Sequence, residues 1–243
     1  IQKTPHFKGY QPSYHPDLEA HAVIARKAAV EGMVLLKNEN STLPFKKVKK
    51  IALFGKTSYQ FMTGGTGSGE VNYDHAAALD EAFGTAKFQL SKTLTDRYRQ
   101  FIDSVRQHEK KENQKFAVDF APELNLTKDF IQSQVKNSDI AVITIGRQAG
   151  EGWDRPESTF SLSEVEKNLI KNVCTSFHAA KKKVVVVLNI GGVIETADWR
   201  DWPDAVLLAW QPGQQGAHAV VDLLKGTENP SGKLAVSFPM KYA

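Results

Sequence analysis

Apolar runs of two kinds punctuate the chain. Residues 140–145 (Ile-Ala-Val-Ile-Thr-Ile) and 183–189 (Lys-Val-Val-Val-Val-Leu-Asn) are short, nearly continuous and rich in β-branched side chains. That pattern predicts strands buried on both faces, as in a parallel sheet covered by helices. Shorter apolar runs predict further strands at 33–37, 50–55 and 205–210. Between them apolar residues recur at helical spacing. Leu18, Ala22, Val23, Ala25 and Ala28 follow Pro16-Asp17 and predict a helix of small residues ending near Gly32. Helices are also predicted over 74–83, over much of 91–112, and over 127–136 with Thr127 as its cap. Ser163 followed by Glu166 is a reciprocal capping pair for a helix to about Ala180, and 214–226 closes on Gly226. Gly191-Gly192 is expected to turn into one more short helix. Alternation of strand and helix implies right-handed crossovers. The expected fold class is α/β: a three-layer α/β/α sandwich with a mainly parallel sheet of about five to six strands, in one domain.

Composition narrows the function. At 243 residues and 41% apolar content the chain can bury a sizeable core, so a folded rather than a disordered chain is expected. The folded domain is expected over 18–243; residues 1–17 form a polar stretch that reads as a linker. Without an initiator Met or a signal peptide, the chain reads as an excised piece of a longer protein. The net charge of +4 comes from interspersed lysines, densest at Lys46-Lys47-Val48-Lys49-Lys50. That run reads as a solvated, edge-protecting turn, with contact to an anion or partner as the alternative. Basic and aromatic residues do not interleave, so no nucleic acid is expected as a partner. A single cysteine, Cys174, excludes an internal disulfide, and the seven histidines lack ligand spacing, so no metal and no cofactor are expected. No run of 18 apolar residues exists, so no membrane insertion is expected.

The densest chemistry follows the first buried run. Residues 147–155 bring two arginines, two carboxylates and an indole to the loop where parallel strands present ligand-contacting groups. Glu151, between two glycines, is a general acid/base candidate; its alternative is a loop carboxylate paired to Arg147 or Arg155. Asp154 and Arg155 read as an ion pair that stiffens the loop. Trp153 either stacks on a sugar face or anchors the loop, and Glu157 reads as a turn residue. The loop Gly64-Gly-Thr-Gly-Ser-Gly69 fails three phosphate and nucleophile motifs. It lacks the Lys-Ser/Thr of a P-loop, has Glu70 where a dinucleotide fingerprint needs a small residue, and has Thr66 where a nucleophile elbow at Ser68 needs glycine. What remains is a flexible backbone able to approach a neutral polar ligand, with the Ser68 hydroxyl on offer. The cluster at 198–202 (Asp-Trp-Arg-Asp-Trp) reads as cap and anchor of a short helix. Trp210-Gln211-Pro-Gly213 reads as a turn at the carboxyl edge of the sheet, or a wall of the same pocket.

Taken together, these motifs resemble the second domain of glycoside hydrolase family 3, the β-glucosidase and β-xylosidase group. The resemblance rests on Ala28-Ala-Val-Glu-Gly-Met-Val-Leu-Leu-Lys-Asn38, Leu43-Pro44, Ile51-Ala-Leu-Phe-Gly55, Gly64-Gly-Thr-Gly-Ser-Gly69, Gly150-Glu-Gly-Trp-Asp-Arg155, residues 184–189, Asn229-Pro-Ser-Gly-Lys-Leu234 and Phe238-Pro239. It covers about 18–242; only 85–137 lacks family motifs, and its length suggests a lineage-specific insertion. The resemblance implies a retaining exo-acting β-glycosidase, most simply a β-glucosidase, whose two carboxyls stand about 5 Å apart. It places the nucleophile on a preceding N-terminal barrel domain of the same polypeptide, to which residues 1–17 would lead. It assigns Glu151 as general acid/base, with Glu157 and Glu70 as further candidates, and Ser68, Trp153, Asp154 and Arg155 as contacts to a β-linked oligosaccharide or glycoside. Such a chain alone would be inactive. Export to the periplasm or the medium would fit the family. The alternative is a non-catalytic carbohydrate-binding module, or a structural one buttressing the barrel.

Overall fold

The computed structural model describes residues 14–69, 75–111, 122–151 and 155–242. In chain order its strands are β1 (Val34–Asn38), β2 (Lys50–Phe54), β3 (Gln89–Leu90), β4 (Ile140–Arg147), β5 (Lys183–Ile190) and β6 (Ala205–Leu208). Its helices are α1 (Leu18–Gly32), α2 (Leu79–Thr85), α3 (Lys92–Lys111), α4 (Lys128–Val135), α5 (Glu164–Ala179) and α6 (Gly216–Lys225). The strands form one sheet of order β1-β6-β5-β4-β2-β3. All neighbours are parallel except β1, which pairs antiparallel with β6 at the edge.

The apolar runs have no polar face because both faces are covered. Along β5, Val184, Val186, Leu188 and Ile190 enter one apolar cluster, and Val185 and Val187 enter the other. The first cluster is completed by residues of α3, α4 and α5, the second by residues of α1, α2 and α6. Two helical layers therefore sandwich the sheet, as expected. β4 and β5 run in register over their whole length, from Ile140 opposite Lys183 to Arg147 opposite Ile190. The carboxyl ends of these two central strands thus reach the same edge.

Helix ends follow local chemistry. The Ser163 side chain accepts from the Glu166 N–H while the Glu166 carboxylate accepts from the Ser163 N–H, so α5 starts where the capping pair predicts. Thr127 Oγ1 accepts from the Phe130 N–H at the head of α4. Gly226 closes α6 in the left-handed region, with φ 83°.

Three features differ from expectation. After β5 no short helix forms. A turn spans 197–201, held by the Trp199 indole, which is completely buried and donates to the Glu195 carbonyl at 2.9 Å, and by the Asp198 N–H, which donates to the Glu195 carboxylate at 2.8 Å. The two residues of β3 extend the sheet beyond β2. Within the stretch 85–137, the described residues include parts of the fold: β3 belongs to the sheet, and Leu94, Tyr98, Ile131 and Val135 on α3 and α4 are core residues. No helix among the described residues is long and apolar enough to cross a membrane.

Candidate functional site

From β2 the chain moves outward to β3 and then returns to the other side of β2 as β4. That reversal opens a crevice at the carboxyl ends of β2 and β4, the place where open α/β sheets bind ligands. The loops above it are built from the strand ends upward. Ser58 Oγ and Thr144 Oγ1 lie 2.6 Å apart where β2 and β4 end, tying the first turn after β2 to the sheet. Asn189, completely buried near the end of β5, accepts from the Met62 N–H at 2.7 Å and donates to the carbonyls of Met62 and Trp210. One side chain thus joins the glycine-rich loop to the loop after β6. Gln211 Nε2 reinforces that link by donating to the Gly64 carbonyl at 2.9 Å.

The glycine-rich loop meets the loop after β4 backbone to backbone. The Thr66 N–H donates to the Ala149 carbonyl at 3.2 Å and the Glu151 N–H to the Thr66 carbonyl at 3.3 Å, a short parallel bridge. Glycine is required on both sides. A Cβ on Gly150 would fall 1.7 Å from Thr66 Oγ1, and one on Gly67, whose φ is +78°, would fall 2.6 Å from Glu151 Cβ. The glycines that matched no phosphate motif therefore serve a loop–loop contact that frames Glu151.

Glu151 is exposed at the rim, and its Oε2 accepts from the Ser68 N–H at 2.8 Å. Hydrogen bonding from Ser68, by its hydroxyl and its backbone N–H, holds the Glu151 carboxyl below the ordinary glutamate range. Neither arginine of the loop pairs with it. Arg147 forms a two-pronged pair with Glu166, at 2.6 and 2.8 Å, and also donates to the Thr159 carbonyl. Arg155 donates to the Val193 carbonyl at 2.9 Å and to Thr159 Oγ1 at 3.2 Å, so it pins the end of the loop to the segment after β5. Glu157 sits exposed in the turn Glu157–Thr159. Of the sites expected from sequence, Trp153, Asp154 and Glu70 lie outside the described residues.

Behind the rim lies a cavity of about 530 Å³, bordered by Lys56, Glu123, Gln148, Arg155 and Glu166. Glu123 escaped the sequence reading because it stands in the charged stretch 85–137. The available signal was the alternation of Leu124 and Leu126, both buried, which docks an extended segment on the sheet and carries Glu123 into the crevice. Glu123 Oε2 accepts from the Lys56 N–H at 2.9 Å and Oε1 from the Leu124 N–H at 3.0 Å. Burial pushes its carboxyl up to about 7, against the opposing pull of those N–H groups and Tyr98; the nearby charge of Glu166 adds to the rise. Among the described residues, no group of three or more His, Cys, Asp or Glu could hold a metal. The described residues of the site present two carboxyl groups in contrasting settings: Glu151, exposed and ionised at the rim, and Glu123, enclosed and poised near neutrality.

Comparison with known proteins adds to this geometry. Residues 33–243 match the glycosyl hydrolase family 3 C-terminal domain. Beta-glucosidase A of Butyrivibrio fibrisolvens is 32% identical over 250 residues, a match covering 90% of this chain and 29% of that protein. An exo-alpha-(1->6)-L-arabinopyranosidase of Bifidobacterium longum is 28% identical over 238 residues, covering 94% and 28%. Among solved structures, beta-glucosidase 3B from Thermotoga neapolitana in complex with glucose superposes with a TM-score of 0.86 at 40% identity, covering 98% of this chain and 33% of that one. The chain thus spans about a third or less of the length of these relatives.

Proposed function

The chain belongs to glycosyl hydrolase family 3, as its C-terminal domain, and we propose that it supplies the general acid/base, Glu151, to a retaining β-glucosidase whose nucleophile stands on another domain. The observation that carries the proposal is the position of Glu151: exposed at the carboxyl edge of the sheet, framed by two glycines, and fixed through its Oε2 by the Ser68 N–H. A carboxyl with one oxygen held and the rest open to a neighbouring domain can deliver a proton to a leaving oxygen and later take one from water.

The lowered proton affinity of Glu151 in this chain agrees with a divided site. A general acid must hold its proton at working pH. Docking of a second domain would remove water from around Glu151 and bring a nucleophile carboxylate near; both effects raise a carboxyl pKa. Without that domain Glu151 is an exposed carboxylate that stays ionised, and the chain alone is inactive. Ser68, Trp153, Asp154 and Arg155 complete the proposal as neighbours of the sugar or of the loop that meets it. Arg155, whose hydrogen bonds run to Val193 and Thr159, acts by holding the loop. The β-glucoside assignment follows the names of the relatives, among which the arabinopyranosidase shows that the sugar varies across similar chains.

A second reading has one observation in its favour. The Glu151–Ser68 hydrogen bond also latches two loops together, as a non-catalytic carbohydrate-binding or buttressing domain would require. Replacing Glu151 by Gln in the complete enzyme separates the readings. The amide keeps an oxygen for the Ser68 N–H but cannot give a proton, so an acid/base role predicts a large fall in turnover and a latch predicts nearly full activity.

A further inference from the structure

At the end of the sheet opposite the Glu151 loop lies a second concavity, of about 360 Å³, between the loop after β1 and the turn before β5. Lys46 and Lys47 border it on one side and Lys181, Lys182 and Lys183 on the other, against one lining carboxylate, Asp139. That carboxylate is already engaged, since its Oδ2 accepts from the backbone N–H groups of Lys49 and Lys50, each at 2.8 Å. Lys182 donates to the carbonyls of Val135 and Ser138, and Lys183 pairs with Asp204 at 2.6 Å. Lys46, Lys47 and Lys181 are exposed, and their side chains have no hydrogen-bond or ion-pair partner among the described residues. Three lysines whose side chains make no ion pair among the described residues therefore border one concavity that a single, already engaged carboxylate lines.

The backbone points to the same place. Among the described residues six non-glycine positions adopt a left-handed conformation, and four of them line this concavity: Asn40 (φ 51°), Ser41 (50°), Lys47 (59°) and Lys181 (58°). Asn40 tolerates that region, but Ser41, Lys47 and Lys181 each cost free energy that glycine would avoid. Lys181 follows α5 where a helix usually ends on glycine. The helix dipole accounts for a positive charge there, not for the strained backbone that carries it.

We propose that this concavity binds a small hydroxylated anion, a sugar-sized molecule bearing a carboxylate or a phosphate. Lys47 and Lys181 are its counter-charges, and the Asn40 and Ser41 side chains meet its hydroxyls. The volume lies at the lower end of the range of small-molecule sites, about 300–1,000 Å³. No aromatic side chain lines it, so stacking of nucleic-acid bases has no platform. The site lies at the opposite end of the strands from Glu151 and does not depend on the glycosidase reading.

The test is an amide NMR titration of the 243-residue chain with glucuronate, glucose 6-phosphate, inorganic phosphate and glucose. At least one sugar anion should saturate the amides of 40–48 and 181–183 at tenfold or more lower concentration than glucose; the tighter of the two identifies the charged group. Glucose matching the anions, shifts that never saturate, or inorganic phosphate binding as tightly as glucose 6-phosphate would each overturn the proposal. Lys47→Gly and Lys181→Gly serve as variants because both relieve the left-handed backbone and should fold at least as stably. Each should weaken anion binding roughly tenfold, the loss of one charged hydrogen bond. Unchanged affinity in both would overturn it as well.

Discussion

Glu151 and Ser68 stand 83 residues apart in the chain and are joined by a 2.8 Å hydrogen bond from the Ser68 N–H to Glu151 Oε2. The contact exists because two strand ends present their loops to the same edge and because glycines let those loops touch. Its chemical consequence is a carboxylate fixed at one oxygen and exposed at the other.

Gly67 tests the frame directly. With φ +78° and no room for a Cβ beside Glu151, Gly67→Ala should destabilise the chain by about 1–2 kcal/mol from backbone strain alone. It should also lower turnover of the complete enzyme by moving Glu151. Thermal unfolding and steady-state kinetics read the two effects; a variant as stable and active as the parent would show that the loops do not depend on this approach.

The Arg147–Glu166 pair holds the strand end to the start of α5, both side chains being 11% exposed. Burial acts to raise the Glu166 carboxyl, but the Arg147 pair outweighs it and keeps the group below its ordinary range. Stability from this group is therefore complete above the ordinary glutamate range and lost as pH falls through the lowered folded value. Glu166→Ala leaves a buried guanidinium unpaired and should cost roughly 3–5 kcal/mol in denaturant unfolding at neutral pH.

Glu123 has the opposite sign. Its folded value is raised from 4.5 to about 7, so its contribution is complete below pH 4.5 and disappears as pH rises through about 7. Unfolding free energy should fall by up to a few kcal/mol across that window from this group, and Glu123→Gln should flatten the fall. Urea titrations of both proteins at several pH values check it.

Asn189 makes three hydrogen bonds to backbone groups of two loops. Asn189→Ala should leave some of those groups without partners and cost at least about 1–3 kcal/mol. Hydrogen exchange should rise at Met62, whose N–H loses its acceptor.

Much of this fold was legible because its strands are buried on both faces. Nothing but a covered sheet accommodates the valines of β5, and Ser163 with Glu166 marks the start of α5 to the residue. β3 was not legible, since two residues carry no period, and β1 reads the same whether parallel or antiparallel. The turn at 197–201 misleads because Trp199 and its charged neighbours have helical spacing, while the buried indole and the Glu195 acceptor hold a turn instead. In the site, the loop after β4 was visible as a concentration of charge. The partners of its charges were not: Arg147 or Arg155 pairing with Glu151 stood as an alternative reading, yet the carboxylate of the α5 capping pair takes Arg147. Glu123 was invisible because its burial depends on where a charged stretch docks, a long-range fact that local pattern does not contain.

The isolated chain should show no appreciable hydrolysis of an aryl β-glucoside, because the nucleophile is proposed to lie on another domain. Turnover near that of a full-length relative would contradict the divided site.

The most direct test of the central claim, that Glu151 is the proton donor, is the leaving-group dependence of Glu151→Gln in the complete enzyme. Loss of general acid catalysis predicts a fall of about 10²–10⁴-fold for glucosides with poor leaving groups, far less for activated aryl glucosides, and recovery by added azide. A variant whose turnover is unchanged, or falls equally for every leaving group without azide rescue, would contradict it.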